Sequence, residues 1–162
     1  KPFGFMAFTA GIGVGGHCIP IDPYFLLEVA QSKDVDFSTV TSAMEEIKNG
    51  PESTGQWVRG VTKNNEILIT CASYKDGVSD TRCSPAIELI SLLYNDYDVK
   101  YWDPNVPSIS LGEEKLISLS DIEFVNFAGT VVIVNEKGLR FVKDNSLNAL
   151  SIVDARYRVI IS

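Results

Sequence analysis

Two stretches constrain this chain more than any other. Glu66-Ile67-Leu68-Ile69-Thr70-Cys71 and Gly129-Thr130-Val131-Val132-Ile133-Val134-Asn135 are apolar almost without interruption. A strand with one wet face alternates polar and apolar residues. A run that does not alternate must be covered on both faces, as in a parallel sheet flanked by helices. Between the two runs, Ser84-Pro85 predicts a helix over Ala86 to Asn95, with Ser84 as its cap. Val99 to Trp102 predicts a further strand, closed by Asp103-Pro104. Ser151-Ile152-Val153 and Val159-Ile160-Ile161 predict two more. Strands alternating with helices imply an α/β domain with a mostly parallel sheet.

The part before Lys63-Asn64-Asn65 has a different character, and a domain boundary is expected there, dividing the chain into 1–62 and 63–162. Residues 1–20 hold Phe3, Phe5 and Phe8, then Gly11, Gly13, Gly15, Gly16 and Pro20. They read as an ordered loop, because glycines supply backbone angles that other residues resist. Asp22-Pro23 has the form of a helix start, Asp as N-cap and Pro at the first helical position. Apolar residues at helical spacing follow over Tyr24 to Ser32. A second helix is predicted over Phe37 to Lys48, with Phe37, Val40, Met44 and Ile47 on one face. Asn49-Gly50-Pro51 should end it, and a weaker third helix follows over Glu52 to Thr62.

Composition removes several classes. The 162 residues, 45% of them hydrophobic, suit one globular domain with or without a helical appendage, and not a disordered chain. A formal net charge of −7 argues against a general binder of nucleic acid or of an anionic membrane surface. No apolar run approaches the roughly 18 residues needed to span a bilayer. Cys18, Cys71 and Cys83 make an odd count without CxxC spacing, and His17 is the single histidine. A disulfide framework, a zinc site and a multi-histidine metal centre are therefore not expected, and a reducing cytoplasm fits best. The first residue is Lys1 and not Met, as expected of a chain that begins inside a longer protein or after a removed tag.

Gly11-Ile12-Gly13-Val14-Gly15-Gly16 matches G-x-G-x-x-G. That fingerprint needs a strand before it and a helix directly after it. Here Pro20 blocks an immediate helix, so the match is read as accidental. The same segment places Cys18 on a glycine-rich loop ahead of a helix. There, backbone N–H groups and the helix dipole favour a thiolate. Asp22, four residues on, is placed to orient a water or to stabilise developing charge. The alternative is that Cys18 is an ordinary small buried residue.

Gly13-Val14-Gly15-Gly16-His17-Cys18-Ile19-Pro20-Ile21-Asp22-Pro23-Tyr24 resembles the active-site cysteine segment of the UDP-glucose/GDP-mannose dehydrogenase family. It comes nearest to the branch that oxidises UDP-N-acetylhexosamines. Downstream, Ser73 to Pro85 (SYKDGVSDTRCSP) is similar to that family's AYKPDVDDTRESP motif. Asp103-Pro104 and Val153-Asp154-Ala155-Arg156 recur there in the same order. The resemblance covers almost the whole chain.

It implies a Rossmann-like C-terminal domain that binds a UDP-sugar, preceded by central helices, about residues 22–62, that form a homodimer. Family members oxidise a sugar C6 alcohol to a carboxylate with NAD. By the resemblance Cys18 is the nucleophile that holds the sugar as a thiohemiacetal and then a thioester. Asp22 assists the water or a neighbouring lysine, and Gly15, Gly16 and His17 line the sugar. Tyr74, Lys75 and Arg82 hold the uridine diphosphate, with Arg156 as a second arginine near it. Read without the resemblance, Lys75 and Arg82 are ordinary residues of a solvated loop, and the helices simply cover the sheet.

Departures accompany the match. Ile12 stands where the family has Pro, and Cys71-Ala72-Ser73 replaces a glycine-containing strand end. Asp76-Gly77 replaces Pro-Asp, Cys83 replaces Glu, and Asn135-Glu136-Lys137-Gly138 replaces a Thr-Asp-His-Ser-like turn. The NAD-binding domain and the family's catalytic lysine and asparagine lie outside these 162 residues. The chain alone is therefore expected to bind no NAD and to lack dehydrogenase activity. The other function class open at this point is a non-catalytic nucleotide-binding or dimerisation module.

Overall fold

The computed structural model describes Gly4 and residues 11–161. The aromatic run Phe3, Phe5 and Phe8 lies outside the described residues. Two helices come first, α1 (Asp22–Ser32) and α2 (Ser38–Val61). The sheet domain then follows as β1 (Glu66–Thr70), α3 (Pro85–Tyr94), β2 (Asp98–Trp102), β3 (Ser108–Leu111), β4 (Glu114–Ile117), α4 (Asp121–Val125), β5 (Thr130–Ile133), α5 (Glu136–Asp144), β6 (Ser151–Asp154) and β7 (Val159–Ile160).

The main sheet has the order β2-β1-β5-β6-β7. Its first four strands are parallel, and β7 is an antiparallel edge. Alternation along the strands divides the core in two. Ile67 and Ile69 of β1, Tyr101 of β2 and Val132 of β5 face one side, against Val58 of α2 and Leu89, Ile90 and Leu93 of α3. Leu68 and Val131, paired in register, face the other side with Trp102, Phe124 and Phe127. There the Trp102, Phe124 and Phe141 rings lie 4.5–5.1 Å apart, the spacing at which aromatic pairs attract. Both faces are covered, as the uninterrupted apolar runs require. The fold is mixed α/β with a mostly parallel sheet.

The helical region differs from expectation first at its second helix. Asn49-Gly50-Pro51 does not end the second helix; the second and third merge into the single 24-residue α2, with Pro51 inside it. An interior proline costs roughly 3 kcal/mol. Tertiary contact offsets that cost. Pro51 is buried, its ring packs against the loop at Gly13, and Gly50 lets the Ile12 carbonyl lie against the helix where a Cβ would collide. The Asn-Gly-Pro run is thus the seat of the glycine-rich loop.

Helix starts also shift. Asp22 is the first residue of α1 rather than its cap. Ile21 holds the cap position, and the N–H groups of Ile21 and Asp22 already donate to the Cys18 carbonyl at 2.9 and 2.8 Å. Ser84 occupies the cap position of α3 but makes no side-chain cap bond, and its hydroxyl is buried without a partner. The hairpin β3–β4, the short α4 and the helix α5 were not anticipated. Asn135 caps α5 by accepting from the Gly138 N–H at 2.9 Å.

Candidate functional site

In a sheet of this order the chain leaves β1 toward β2 and later returns on the other side, as β5. The crevice beyond the carboxyl ends of β1 and β5 is where ligands of open α/β sheets bind. The segment leaving β1 carries Tyr74, Lys75 and Arg82. The segment leaving β5 begins with Asn135.

The exit from β1 is built tightly. Cys71 adopts φ 75°, left-handed backbone that favours glycine, and it is fully buried. Asp103, at the carboxyl end of β2, reaches across to it. One carboxylate oxygen accepts the Cys71 thiol and the N–H groups of Ala72 and Ser73, all at 3.0 Å. The other accepts the Asn105 N–H at 2.9 Å and lies 3.8 Å from Lys137 Nζ. Burial by itself would raise the pKa of Asp103, but these donors outweigh it and hold the carboxylate below the ordinary range. Burial likewise pushes the Cys71 thiol up to about 12, so it stays neutral and unreactive.

The glycine-rich loop lies directly on the segment that follows. The Gly16 N–H donates to the Arg82 carbonyl at 2.9 Å. A Cβ on Gly15 would lie 2.6 Å from Tyr74 Cβ and 2.8 Å from the Cys83 carbonyl oxygen. Gly16, at φ 95°, sits on the Tyr74 ring, with that ring 3.0 Å from where a Cβ would be. Glycine is therefore required at both positions by Tyr74, whatever else lines this loop. Cys18 follows, exposed and not buried, with Sγ 3.9 Å from His17 Nδ1. Asp22 is exposed one helical turn further on.

Arg82 projects into solvent, its guanidinium forked on Asp80 at 2.6–3.0 Å. The Arg82 side chain holds the Asp80 carboxylate down at about 2. Lys75 is exposed and, among the described residues, enters no ion pair. The structure thus brings Gly15, Gly16, His17, Cys18, Tyr74 and Arg82 together. Arg156 stands apart from them. Its side chain is 5% exposed, it chelates Asp154 through Nε and Nη2 at 2.9 and 2.7 Å, and Nη1 donates to Glu136 at 2.8 Å. The Asp154 bond, first among its neighbours, raises its pKa further. Arg156 also lines a polar cleft of about 220 Å³ with Ser53 and Arg158, against α2.

Sequence reasoning noted Asp103-Pro104 without giving Asp103 a task, and it missed the Asp76 cluster. Asp76 accepts from Asn135 Nδ2 at 2.7 Å and from Arg140 at 3.3 Å. Asp76 and Arg140, with Gly77 and Lys137, line a cleft of about 340 Å³ at the crevice. A polar residue at the carboxyl end of a buried parallel strand was the available signal for Asp103. No local signal joins Asp76 to Asn135, 59 positions away.

Among the described residues no helix is long and apolar enough to cross a membrane, and no cluster of His, Cys, Asp or Glu is placed to hold a metal ion.

Residues 1–49 match the central domain, and residues 68–159 the UDP binding domain, of the UDP-glucose/GDP-mannose dehydrogenase family. The UDP-N-acetyl-D-mannosamine dehydrogenase of Pyrococcus horikoshii is 34% identical over 121 residues, 70% of this chain and 28% of that protein. Its counterpart from Methanococcus vannielii is 31% identical over 147 residues, 87% of this chain and 33% of that protein. This chain therefore spans about a third or less of the curated relatives it matches. Among solved structures, the P. horikoshii UDP-D-ManNAc dehydrogenase superposes with a TM-score of 0.67 at 24% identity, over 99% of this chain and 39% of that one. The Pseudomonas aeruginosa GDP-mannose dehydrogenase gives 0.71 at 22%, over 90% and 37%. The structural likeness establishes the shared fold. The UDP binding domain match alone covers more than half of the chain, and the chain belongs to the UDP-glucose/GDP-mannose dehydrogenase family.

Proposed function

We propose that this chain is the cysteine-loop and nucleotide-binding portion of a nucleotide-sugar 6-dehydrogenase. Residues 1–62 supply the thiol loop and the dimer helices, and residues 63–162 bind the UDP-sugar. The observation that carries the reading is the seating of the Cys18 loop on the nucleotide segment: Gly16 bonded to Arg82 and packed on Tyr74. A sugar diphosphate held by Lys75 and Arg82, with its base or sugar against Tyr74, would lie on the same face as the thiol. Arg82 is preorganised by Asp80 and exposed, as a cation that meets a diphosphate should be. Arg156 supports the site indirectly, by tying the ends of β6 and α5 together.

In this reading Cys18 Sγ adds as thiolate to the C6 aldehyde carbon. The carbonyl oxygen takes a proton, and a thiohemiacetal holds the sugar on the chain. Asp22, at the start of the next helix, orients the water that opens the later thioester. The sugar in this reading is a UDP-N-acetylhexosamine, which the similarity to the UDP-N-acetyl-D-mannosamine dehydrogenases supports.

The family's dehydrogenases use NAD, which removes hydride from the sugar carbon. The glycine-rich loop is not read as a dinucleotide loop: Gly13, Gly15 and Gly16 pack on the chain's own Pro51, Pro85 and Tyr74, and the next helix begins only at Asp22. Hydride removal is therefore assigned to no residue of these 162, and the isolated chain should not turn over. A reducing cytoplasm suits its two exposed thiols.

Calorimetric titration with UDP tests the reading. The chain should bind, and Lys75→Ala or Arg82→Ala should each weaken binding about tenfold. Unchanged affinity in both variants would count against the pocket. Reduction of NAD by the chain alone, with UDP-N-acetylmannosamine or UDP-glucose, would sink the assignment of hydride removal elsewhere.

A further inference from the structure

The turn that launches the nucleotide segment is conformationally expensive. Left-handed backbone is unfavourable for a non-glycine residue, and Cys71 holds φ 75° where its side chain is buried. Something must over-determine that conformation. The Asp103 carboxylate is the group that does so geometrically. It is fully buried, and a single oxygen gathers the thiol of Cys71 and the two successive N–H groups of Ala72 and Ser73. The backbone at residue 71 sets the direction in which the Ala72 N–H leaves the strand end, and a carboxylate bonded to that amide, to the next one and to the Cys71 thiol holds that direction. Lys137, from the opposite side of the crevice, is the cation that faces it, and Asn105 fills its remaining acceptor position.

We propose that Asp103 is a positioning residue for the nucleotide segment. Its carboxylate holds the left-handed turn at Cys71, and that turn sets where Tyr74 and Lys75 stand. Because Tyr74 is the floor under Gly15 and Gly16, the same clamp also sets the height of the Cys18 loop. Asp103 itself touches neither the thiol of Cys18 nor the exposed face. The affinity arm of the test rests on the UDP-binding reading above; the turn itself is tested without it.

The experiment uses the full chain, ¹⁵N-labelled, in four forms: unaltered, Asp103→Ala, Cys71→Gly, and both together. In Asp103→Ala the Ala72 and Ser73 amides should lose hydrogen-exchange protection, and UDP should bind about tenfold more weakly, the worth of one charge-assisted hydrogen bond. Glycine adopts left-handed backbone without help. The double variant should therefore recover most of the UDP affinity, although it has lost the buried thiol as well. A residue that served stability alone would give the opposite result, the double variant being weaker than the single one, and that outcome overturns the proposal. So does unchanged affinity in Asp103→Ala. Should the unaltered chain not bind UDP, the functional reading fails, and unchanged protection of Ala72 and Ser73 in Asp103→Ala then overturns the clamp by itself. If the alanine variant does not fold, Asp103→Asn, which keeps one acceptor, serves the same comparisons with an expected weakening of about threefold.

Discussion

Helices α1 and α3 are almost the same length, and each has a proline in its first turn. Their apolar residues meet opposite fates. α3 buries Ala86, Leu89, Ile90 and Leu93, a stripe at helical spacing that lies on the sheet and on α2. α1 buries only Ala30, and Tyr24, Phe25, Leu26 and Val29 stand in solvent, Phe25 with 65% of its surface exposed. Two sequences that read alike as amphipathic helices therefore do different work. One is part of the core. The other presents neighbouring apolar side chains to solvent, in the stretch we propose as the dimer interface.

That contrast is open to direct attack. The largest effect is expected in α3. Leu89→Ala should cost about 2–5 kcal/mol in denaturant unfolding, since Leu89 is completely buried between α2 and the sheet. A loss below about 1 kcal/mol would show that this helix is not core.

Next comes the β1 exit, next to the same core. Cys71 has its pKa raised by folding, so its contribution to stability is complete below the pKa of the unfolded thiol. It is lost as pH rises between about 9 and 12. Unfolding free energy should fall there by at most about 1.4 kcal/mol per pH unit, and Cys71→Ala should flatten that slope. In the native chain at neutral pH, a thiol reagent should label Cys18 and Cys83 and spare Cys71.

The smallest effect on stability is expected in α1. Leu26→Asp should change monomer unfolding by less than about 0.5 kcal/mol, yet shift the particle mass in light scattering from dimer to monomer. A large loss of stability, or an unaltered mass, would erase the distinction between the two helices.

Much of the sheet domain was legible in the residues. The uninterrupted runs at Glu66–Cys71 and Gly129–Asn135 could be satisfied only by strands covered on both faces, and each became a central strand of the parallel sheet. Legibility ended where long-range contact outweighed local preference. Asn49-Gly50-Pro51 reads as a helix stop, but the contact of Gly50 and Pro51 with the glycine-rich loop keeps α2 unbroken. The hairpin β3–β4 is short and half-polar, so its alternation carried no clear signal. At the candidate site, the residue types at Cys18, Tyr74, Lys75 and Arg82 were visible in the motifs. Nothing in the chain order brings Gly16 to Arg82 or Asp103 to Cys71.

The sequence by itself determined the class of fold and the family, and it named the candidate site residues, because apolar periodicity and motif spacing are local properties of the chain. Only the tertiary structure decided how these parts meet. It set the Cys18 loop on Tyr74, gave Arg156 to Asp154 and Glu136 instead of the exposed face, and placed a buried carboxylate under a strained turn. The reason is physical: each of these is a contact between segments tens of residues apart, fixed by burial and by the need to pair every buried polar group.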